Sequence, residues 1–392
     1  MSLQVAIAGA GIGGLACAAG LARAGHRVHV YDQFAAPAPV GSGLVVQPVG
    51  LEVLRHLGAA EAALALGNRI HRMLGREADS GRAVLDVAYD APGVPRFGLA
   101  IHRAALFQAL FDAAIGAGAV VVPGHRVRAV QDARLTFENG VQAGPFDLVI
   151  DASGAGSPLS PMVARPLPYG ALWATVTWPE DTALPVNELR QMYRRADRML
   201  GVLPIGHLPG GDDRKAAIFW SLPATGYDGW RARGLALWRE EACRLWPEFE
   251  PFTRQITDPE QMTMARYAHG TLRQPIAAGL AYVGDAAHRA SPQLGQGANM
   301  ALLDALALCR ALERSRGNVA LALQWYAQAR RWHVRSYQAM SRLFTPQYQS
   351  DSRWLPILRD RVLFPASQLR PIPRVLTRLV CGDLLPPLGS LS

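Results

Sequence analysis

The sequence predicts an α/β fold: a domain built on a parallel sheet, interleaved with a β-sheet second domain and followed by C-terminal helices. Three observations predict it. Near the start, a glycine-rich turn joins a short apolar strand to an Ala/Leu-rich helix. A second strand–loop–helix stretch, "GLAYVGDAAHRASPQLGQGANMALLDALALCRAL", occupies residues 279–312. Between them lie short β-branched and aromatic segments bounded by Gly and Pro.

The 392 residues are enough for two or three domains with cores of their own. A hydrophobic content of 50% suits a folded globular chain. The net charge of +9 is almost wholly arginine, since Lys215 is the single lysine. Basic runs such as "RVRAVQDAR" and "ARRWHVR" are broken by apolar residues, so they read as solvated faces with a general pull on anions such as diphosphates. No basic stripe or nucleic-acid motif appears, and no nucleic-acid partner is expected. Cys17, Cys243, Cys309 and Cys381 have neither metal nor redox spacing, so no metal centre or disulfide framework is expected. "MSLQVAIAGAGIGG" has no basic start or cleavage pattern, and no apolar run reaches about 18 residues. Neither a signal peptide nor a membrane span is expected, and the cytoplasm is the expected location.

Gln4–Ala8 is almost continuously apolar, as a strand buried on both faces should be. Gly9-Ala10-Gly11-Ile12-Gly13-Gly14 follows, then a helix over Leu15–Ala24 ended by Gly25, then a strand over Arg27–Tyr31 closed by Asp32 and Gln33. Gly9 allows the tight turn, Gly11 lets a pyrophosphate approach, and Gly14 lets helix and strand pack closely. The helix N-terminus offers free N–H groups to phosphates. Asp32 stands at the distance where an acid accepts hydrogen bonds from a ribose. The pattern alone leaves NAD and FAD open.

The second stretch narrows the choice. Leu280–Val283 is a strand, Gly284-Asp285 ends it, and a Pro/Gly loop leads into a helix near Gly297-Ala298-Asn299. An acid at a strand's carboxyl end is placed for sugar hydroxyls. A helix N-terminus there favours an anion such as reduced flavin. "GAGIGG", the arginine of "HRAAL" and "GDAAHRASPQLGQGANMALLDA" together resemble the FAD-dependent aromatic hydroxylases, the p-hydroxybenzoate hydroxylase-like flavoprotein monooxygenases, over roughly residues 1–340.

The resemblance implies a Rossmann-like FAD-binding domain from residues 1–70, 98–165 and 272–340. It implies a substrate domain from 71–97 and 166–271, with a helical segment over 341–392. It implies FAD diphosphate at Gly9–Gly14, adenosine ribose at Asp32, adenine beside Val127, and ribityl at Asp285. Flavin contacts come from Arg103, Pro292 and Gly297–Asn299, and Gly41–Leu44, including Gly43 and Leu44, form a flexible loop against the ring. The implied reaction transfers one oxygen atom from O2 through a flavin C4a-hydroperoxide, with NADH or NADPH as donor.

The strands "GALWATVTW", "DRMLGVLPIG" and "KAAIFWSLP" supply the pocket candidates Trp173, Thr175, Leu203, Pro204, Trp220 and Leu222. Alternation sends half of such residues to the wrong face. Their apolar character implies a hydrophobic, aromatic or polyketide-like substrate. No nucleophile constellation appears, and His288 and Pro292 are the only candidates for protein chemistry, carried by the motif alone. His207 and His269 read as packing residues, as do Phe344, Tyr348, Trp354 and Phe364 of the tail.

"DASGAGSPLS" departs from the family pattern Gly-Ala-Asp-Gly-x-x-Ser-x-x-Arg: Ser153 stands at the acid and Ser160 at the arginine. The missing charged pair leaves two electron donors open, an ordinary NAD(P)H or a partner flavin reductase. A dehydrogenase on the same fold is a further alternative, and a homodimer is among the open oligomeric states.

Overall fold

The apolar runs pair into a six-stranded sheet in a computed structural model that describes residues 2–35, 42–90 and 95–391. Gly41, read as part of a loop against the flavin, lies outside the described residues. The sheet runs β18 (Ile276–Ala277), β19 (Leu280–Tyr282), β12 (Leu148–Asp151), β1 (Gln4–Ala8), β2 (Arg27–Tyr31) and β8 (Val120–Val122). All are parallel except the edge strand β18. Val5, Ile7, Leu148 and Ile150 of the central strands face one fully buried core, and Ala6, Ala8 and Val149 face another. That two-sided burial is why these strands read as unbroken apolar runs.

One face is covered by α1 (Ile12–Arg23), α4 (Arg103–Gly116) and α7 (Gly297–Arg314), with α8 (Val319–Tyr348) outside α7. The other carries a small sheet of β9 (Val127–Gln131), β10 (Arg134–Phe137) and β11 (Gln142–Ala143). All four cysteines are free. Cys17 and Cys309 fill the helix-side core, and burial pushes the Cys309 thiol up to about 12.

The second large sheet has eight strands. Their order is β20 (His288–Arg289), β17 (Thr263–Thr271), β13 (Arg165–Thr177), β16 (Arg214–Pro223), β15 (Arg198–His207), β14 (Glu188–Arg194), β5 (Arg72–Glu77) and β6 (Ala83–Ala88). β13, β15 and β16 are the three segments read from the sequence, and residues 72–88 add the distal edge. One face takes α5 (Tyr227–Leu245) and α6 (Glu250–Thr253). The other meets a three-stranded sheet of β3 (Gly43–Val46), β7 (Gly98–His102) and β4 (Asn68–Ile70), which leads into α2 (Pro48–Leu57) and α3 (Ala60–Leu66). The C-terminal segment adds α9 (Leu355–Leu358), α10 (Phe364–Ser367) and α11 (Ile372–Cys381).

Candidate functional site

The glycine turn divides its glycines between two jobs. Gly9 has a φ of +99°, and a Cβ there would lie 2.7 Å from the Ala152 carbonyl oxygen. A Cβ on Gly14 would lie 1.9 Å from the carbonyl oxygen of Gly9. These two positions hold α1 against the sheet. A Cβ on Gly11, the residue before α1, would meet nothing within 4 Å. Its backbone therefore faces open space, beside the N–H groups of Ile12, Gly13 and Gly14, which have no partner within the helix. No acid sits in the first turn of α1. That cradle fits a diphosphate.

Asp32 ends β2, and its carboxylate accepts the N–H of Ala10 at 2.7 Å and that of Phe34 at 3.0 Å. It braces the glycine turn and keeps lone pairs for a ribose. Gln33 beside it is exposed, and Val127, at the start of β9, is buried against Tyr31 and Phe137.

Asp285 is exposed after β19, and its carboxylate has no protein partner among the described residues. A buried network holds its turn from behind. The Gly284 N–H donates to Asp304 Oδ2 at 3.0 Å, His288 Nε2 lies 2.6 Å from the same oxygen, and Arg330 Nε donates to Oδ1 at 2.7 Å. Burial alone would raise the Asp304 carboxyl; His288 and Arg330 overcome that and hold it down at about 2. His288 is thus a correction to the sequence reading: its ring is buried and its Nε2 is committed to Asp304, because the helix after the motif brings that carboxylate underneath it. His269 is likewise buried, with Nε2 3.2 Å from Ser341 Oγ. His207 ends β15 half-buried.

Pro292 is exposed in a short turn capped by Ser291, whose hydroxyl accepts the N–H of Gln293. Gly295 takes a left-handed φ of +61° and delivers the chain to α7. Gly297 is exposed, a Cβ there would meet nothing within 4 Å, and the N–H groups of Gly297, Ala298 and Asn299 are free of intrahelical bonds. The Asn299 side chain needs a second correction. It is fully buried, accepting the Gln47 N–H at 2.8 Å and donating to the carbonyls of Val45 (3.1 Å) and Gly295 (2.9 Å). Only its backbone N–H is left for a ligand, because the amide clamps β3 to α7.

β3 and the loop before α7 both rest on one face of the eight-stranded sheet. A Cβ on Gly43 would lie 2.4 Å from Ile205 and 2.8 Å from Ala217. Gly43 is therefore a close-approach strand residue rather than a loop hinge, and Leu44 beside it pairs with Ile101. Ser42 Oγ lies 3.2 Å from Thr175 Oγ1, and Gln293 Nε2 lies 3.8 Å from Met199 Sδ. On this face the Trp173 and Phe219 rings lie 4.7 Å apart, Trp173 Nε1 donates to Tyr267 Oη at 2.8 Å, and Leu203 is buried among them. Burial pushes the Tyr267 phenol up to about 12, so it stays neutral.

Pro204, Trp220 and Leu222 lie on the opposite face. Pro204 pairs with Ala216, while Trp220 and Leu222 pack in the α5 core, with Arg198 stacked 4.7 Å from the Trp220 ring. The strand period of two explains this split. Met199, Phe219 and Tyr267 join the wall unread. Phe219 was legible as the alternate of Trp220, whereas Tyr267 depends on the register of β17 against β13. Arg103 opens α4, exposed and without an ion-pair partner among the described residues, and its N–H donates to the Ser42 carbonyl at 3.0 Å.

In "DASGAGSPLS" the acid is present two residues earlier. Asp151 is fully buried; Oδ1 accepts the Ser153 hydroxyl at 2.5 Å and its N–H at 3.1 Å, and Oδ2 accepts the Ser157 hydroxyl at 2.6 Å. Ser160 donates to the Ala286 carbonyl at 2.6 Å. Arg289 bridges the carbonyls of Ala155 and Asp285. The turn is tied down from the Asp285 side.

The FAD binding domain family matches residues 2–143 and 231–339. The chain is 28% identical to hispidin-3-hydroxylase of Neonothopanus nambi, over 92% of this chain and 93% of that protein. A structure of the tetrameric form of 2-methyl-3-hydroxypyridine-5-carboxylic acid oxygenase superposes with a TM-score of 0.79 at 20% identity, covering 96% of each chain. A Klebsiella pneumoniae HpxO variant complexed with FAD superposes at 0.78 with 22% identity, over 98% of this chain and 100% of that one. The glycine cradle, the braced Asp32, the free Asp285 and the open start of α7 fit that cofactor, and the chain belongs to the FAD binding domain family as an FAD-dependent monooxygenase of the aromatic hydroxylase kind.

Proposed function

We propose that the protein inserts one oxygen atom of O2 into a hydrophobic aromatic or polyketide-like small molecule, with NADH or NADPH as the electron donor. One observation carries this reading: the wall of Trp173, Phe219, Met199 and Leu203 meets the loop that presents the free N–H groups of α7. Bound FAD would supply the redox chemistry, accepting a hydride and activating O2. The N–H groups of Gly297, Ala298 and Asn299 would stabilise negative charge on the reduced ring. Asp285 would hold ribityl hydroxyls, Asp32 the adenosine ribose, and Arg103 a phosphate or ribityl oxygen. The neutral, apolar wall would orient an aromatic ring and exclude water.

We also propose that residues 1–70, 98–165 and 272–340 act as the FAD-binding domain, and 71–97 with 166–271 as the substrate domain. Membership of the two large sheets supports that division, apart from β20 and Arg165. The test is product analysis with isotopically labelled O2 against a panel of hydrophobic phenols, heteroaromatics and aromatic polyketides. A product carrying one labelled oxygen supports the reading, and label entering from water overturns it.

A second reading, electrons from a partner flavin reductase, is favoured by the turn at Asp151. Ser153 faces inward to Asp151. No charged side chain of residues 153–160 is then available to receive a nicotinamide donor.

A further inference from the structure

The helix that follows α8 is inside out. α9, the turn Arg359–Leu363 and α10 run on without a break from Leu355 to Ser367. Its inner face carries Arg359, which is 1% exposed. The Arg359 guanidinium donates to the carbonyls of Arg195 (3.1 Å) and Gln347 (2.9 Å), pairs with Asp360 at 2.6 Å, and stacks on Tyr193 and Tyr348. The outer face carries Trp354, Ile357, Leu358 and Val362, at the three- and four-residue spacing of one helical stripe. A helix on a protein surface ordinarily turns such a stripe toward the core. Leu363, Leu369, Ile372 and Val375 continue the apolar surface onto α11, which packs beside α10. Sixteen large hydrophobic residues are exposed among the described residues, and eight of them fall within 354–375. Clustering of that kind marks a surface that something covers.

The charges indicate what covers it. Arg353, Arg361, Arg370 and Arg374 are exposed and have no ion-pair partner among the described residues. The one acid between 353 and 375, Asp360, is taken by Arg359. A second copy docking through a two-fold axis would set arginines against arginines. A bilayer with anionic headgroups meets both features, since arginines reach phosphates while the stripe enters the headgroup–acyl boundary. Trp354 is 79% exposed and would sit at the interfacial level that tryptophan favours. Beside the stripe, a cleft of about 1080 Å³, lined by Arg82, Arg195, Arg353 and Arg361 against the two acids Glu77 and Asp360, keeps an excess of positive charge and gives a headgroup room to enter. No helix of the described residues is long and apolar enough to cross a membrane, so the contact is with one leaflet.

We propose that residues 353–375 form a peripheral docking surface for an anionic phospholipid bilayer. The test is co-sedimentation of the FAD-loaded full chain with vesicles of phosphatidylcholine alone, or of phosphatidylcholine with about a quarter phosphatidylglycerol. Binding to the anionic vesicles is expected to exceed binding to the neutral ones by about tenfold or more at about 0.1 M salt, and to be lost near about 1 M. The double variant Arg361→Ala, Arg374→Ala is expected to weaken binding by about thirtyfold. The double variant Ile357→Ser, Val362→Ser should also weaken it, while flavin content and melting temperature stay at the wild-type level. Failure to sediment with anionic vesicles overturns the proposal, as does binding indifferent to Ile357→Ser, Val362→Ser. A dimer that this double variant splits, without vesicle binding by the wild type, assigns the surface to a second copy and overturns it as well.

Discussion

His288 Nε2 and the Gly284 N–H share one oxygen of the buried Asp304 carboxylate, at 2.6 and 3.0 Å. The network therefore sits under the turn that presents Asp285. Replacing Asp304→Asn leaves Arg330 buried without its counter-charge, which costs about 3–5 kcal/mol. Urea unfolding should show that loss. The same variant should also release FAD more readily, because the Gly284 turn loses its anchor. Normal FAD retention in a destabilised Asp304→Asn protein would separate the network from the cofactor turn.

Acid should weaken the fold in two stages. His333 is buried against Arg330, and burial together with that charge lowers it from 6.5 to about 3. The unfolded chain takes up this proton first, so stability is full above about pH 6.5 and falls as the pH drops toward about 3. Asp304, held at about 2 against an ordinary 3.8, adds a loss below about pH 4. Denaturant melts between about pH 7.5 and 4 should show the first stage, and His333→Gln should flatten it. Stability that is level between about pH 7 and 5 would refute the assignment.

The glycines of the first turn should separate folding from cofactor binding. Gly14→Ala forces a Cβ onto the Gly9 carbonyl and should give little soluble protein. Gly11→Val has room within the protein and should fold with a normal apoprotein melting temperature. Its FAD affinity should fall by about tenfold or more, since the side chain fills the phosphate cradle. Flavin titration followed by fluorescence distinguishes the two.

Charge at the start of α7 should tune the flavin. Ala298→Asp offsets the positive end of the helix dipole and should destabilise the anionic reduced ring by roughly 0.3–2 kcal/mol. The midpoint potential should therefore fall. A raised or unchanged potential would mean that the ring does not lie over this helix end.

Two tryptophans one strand apart should behave differently. Trp220→Ala removes a buried ring from the α5 core and should cost about 3–5 kcal/mol in stability, with substrate preference unchanged. Trp173→Ala alters the wall facing α7 and should shift KM and the range of accepted aromatics, with a smaller effect on melting.

The parallel sheet and its two glycine-bearing turns were legible because strand, glycines, helix and acid each leave a local mark within about thirty residues. The apolar wall that meets the loop before α7 was half legible. Period-two alternation identified the strands, but which alternate faces inward depends on where α5 packs, and α5 comes later in the chain. The role of Asp151 was hidden for a related reason. Nothing local marks Asp151 as a buried acceptor, which shows only once Ser153 and Ser157 fold back onto it.

Leu388 and Leu391 pack in the same core as Val5 and Ile7. Arg310 and Arg314 of α7 bind the carbonyls of Leu391 and Ser390. On the ribosome, β1 and its glycine turn must therefore wait until residues 388–391 have been made before that core can close. The nascent chain carries a partly open hydrophobic core all that time, which is the interval in which such chains aggregate. Expression yield should accordingly depend on chaperone supply and growth temperature.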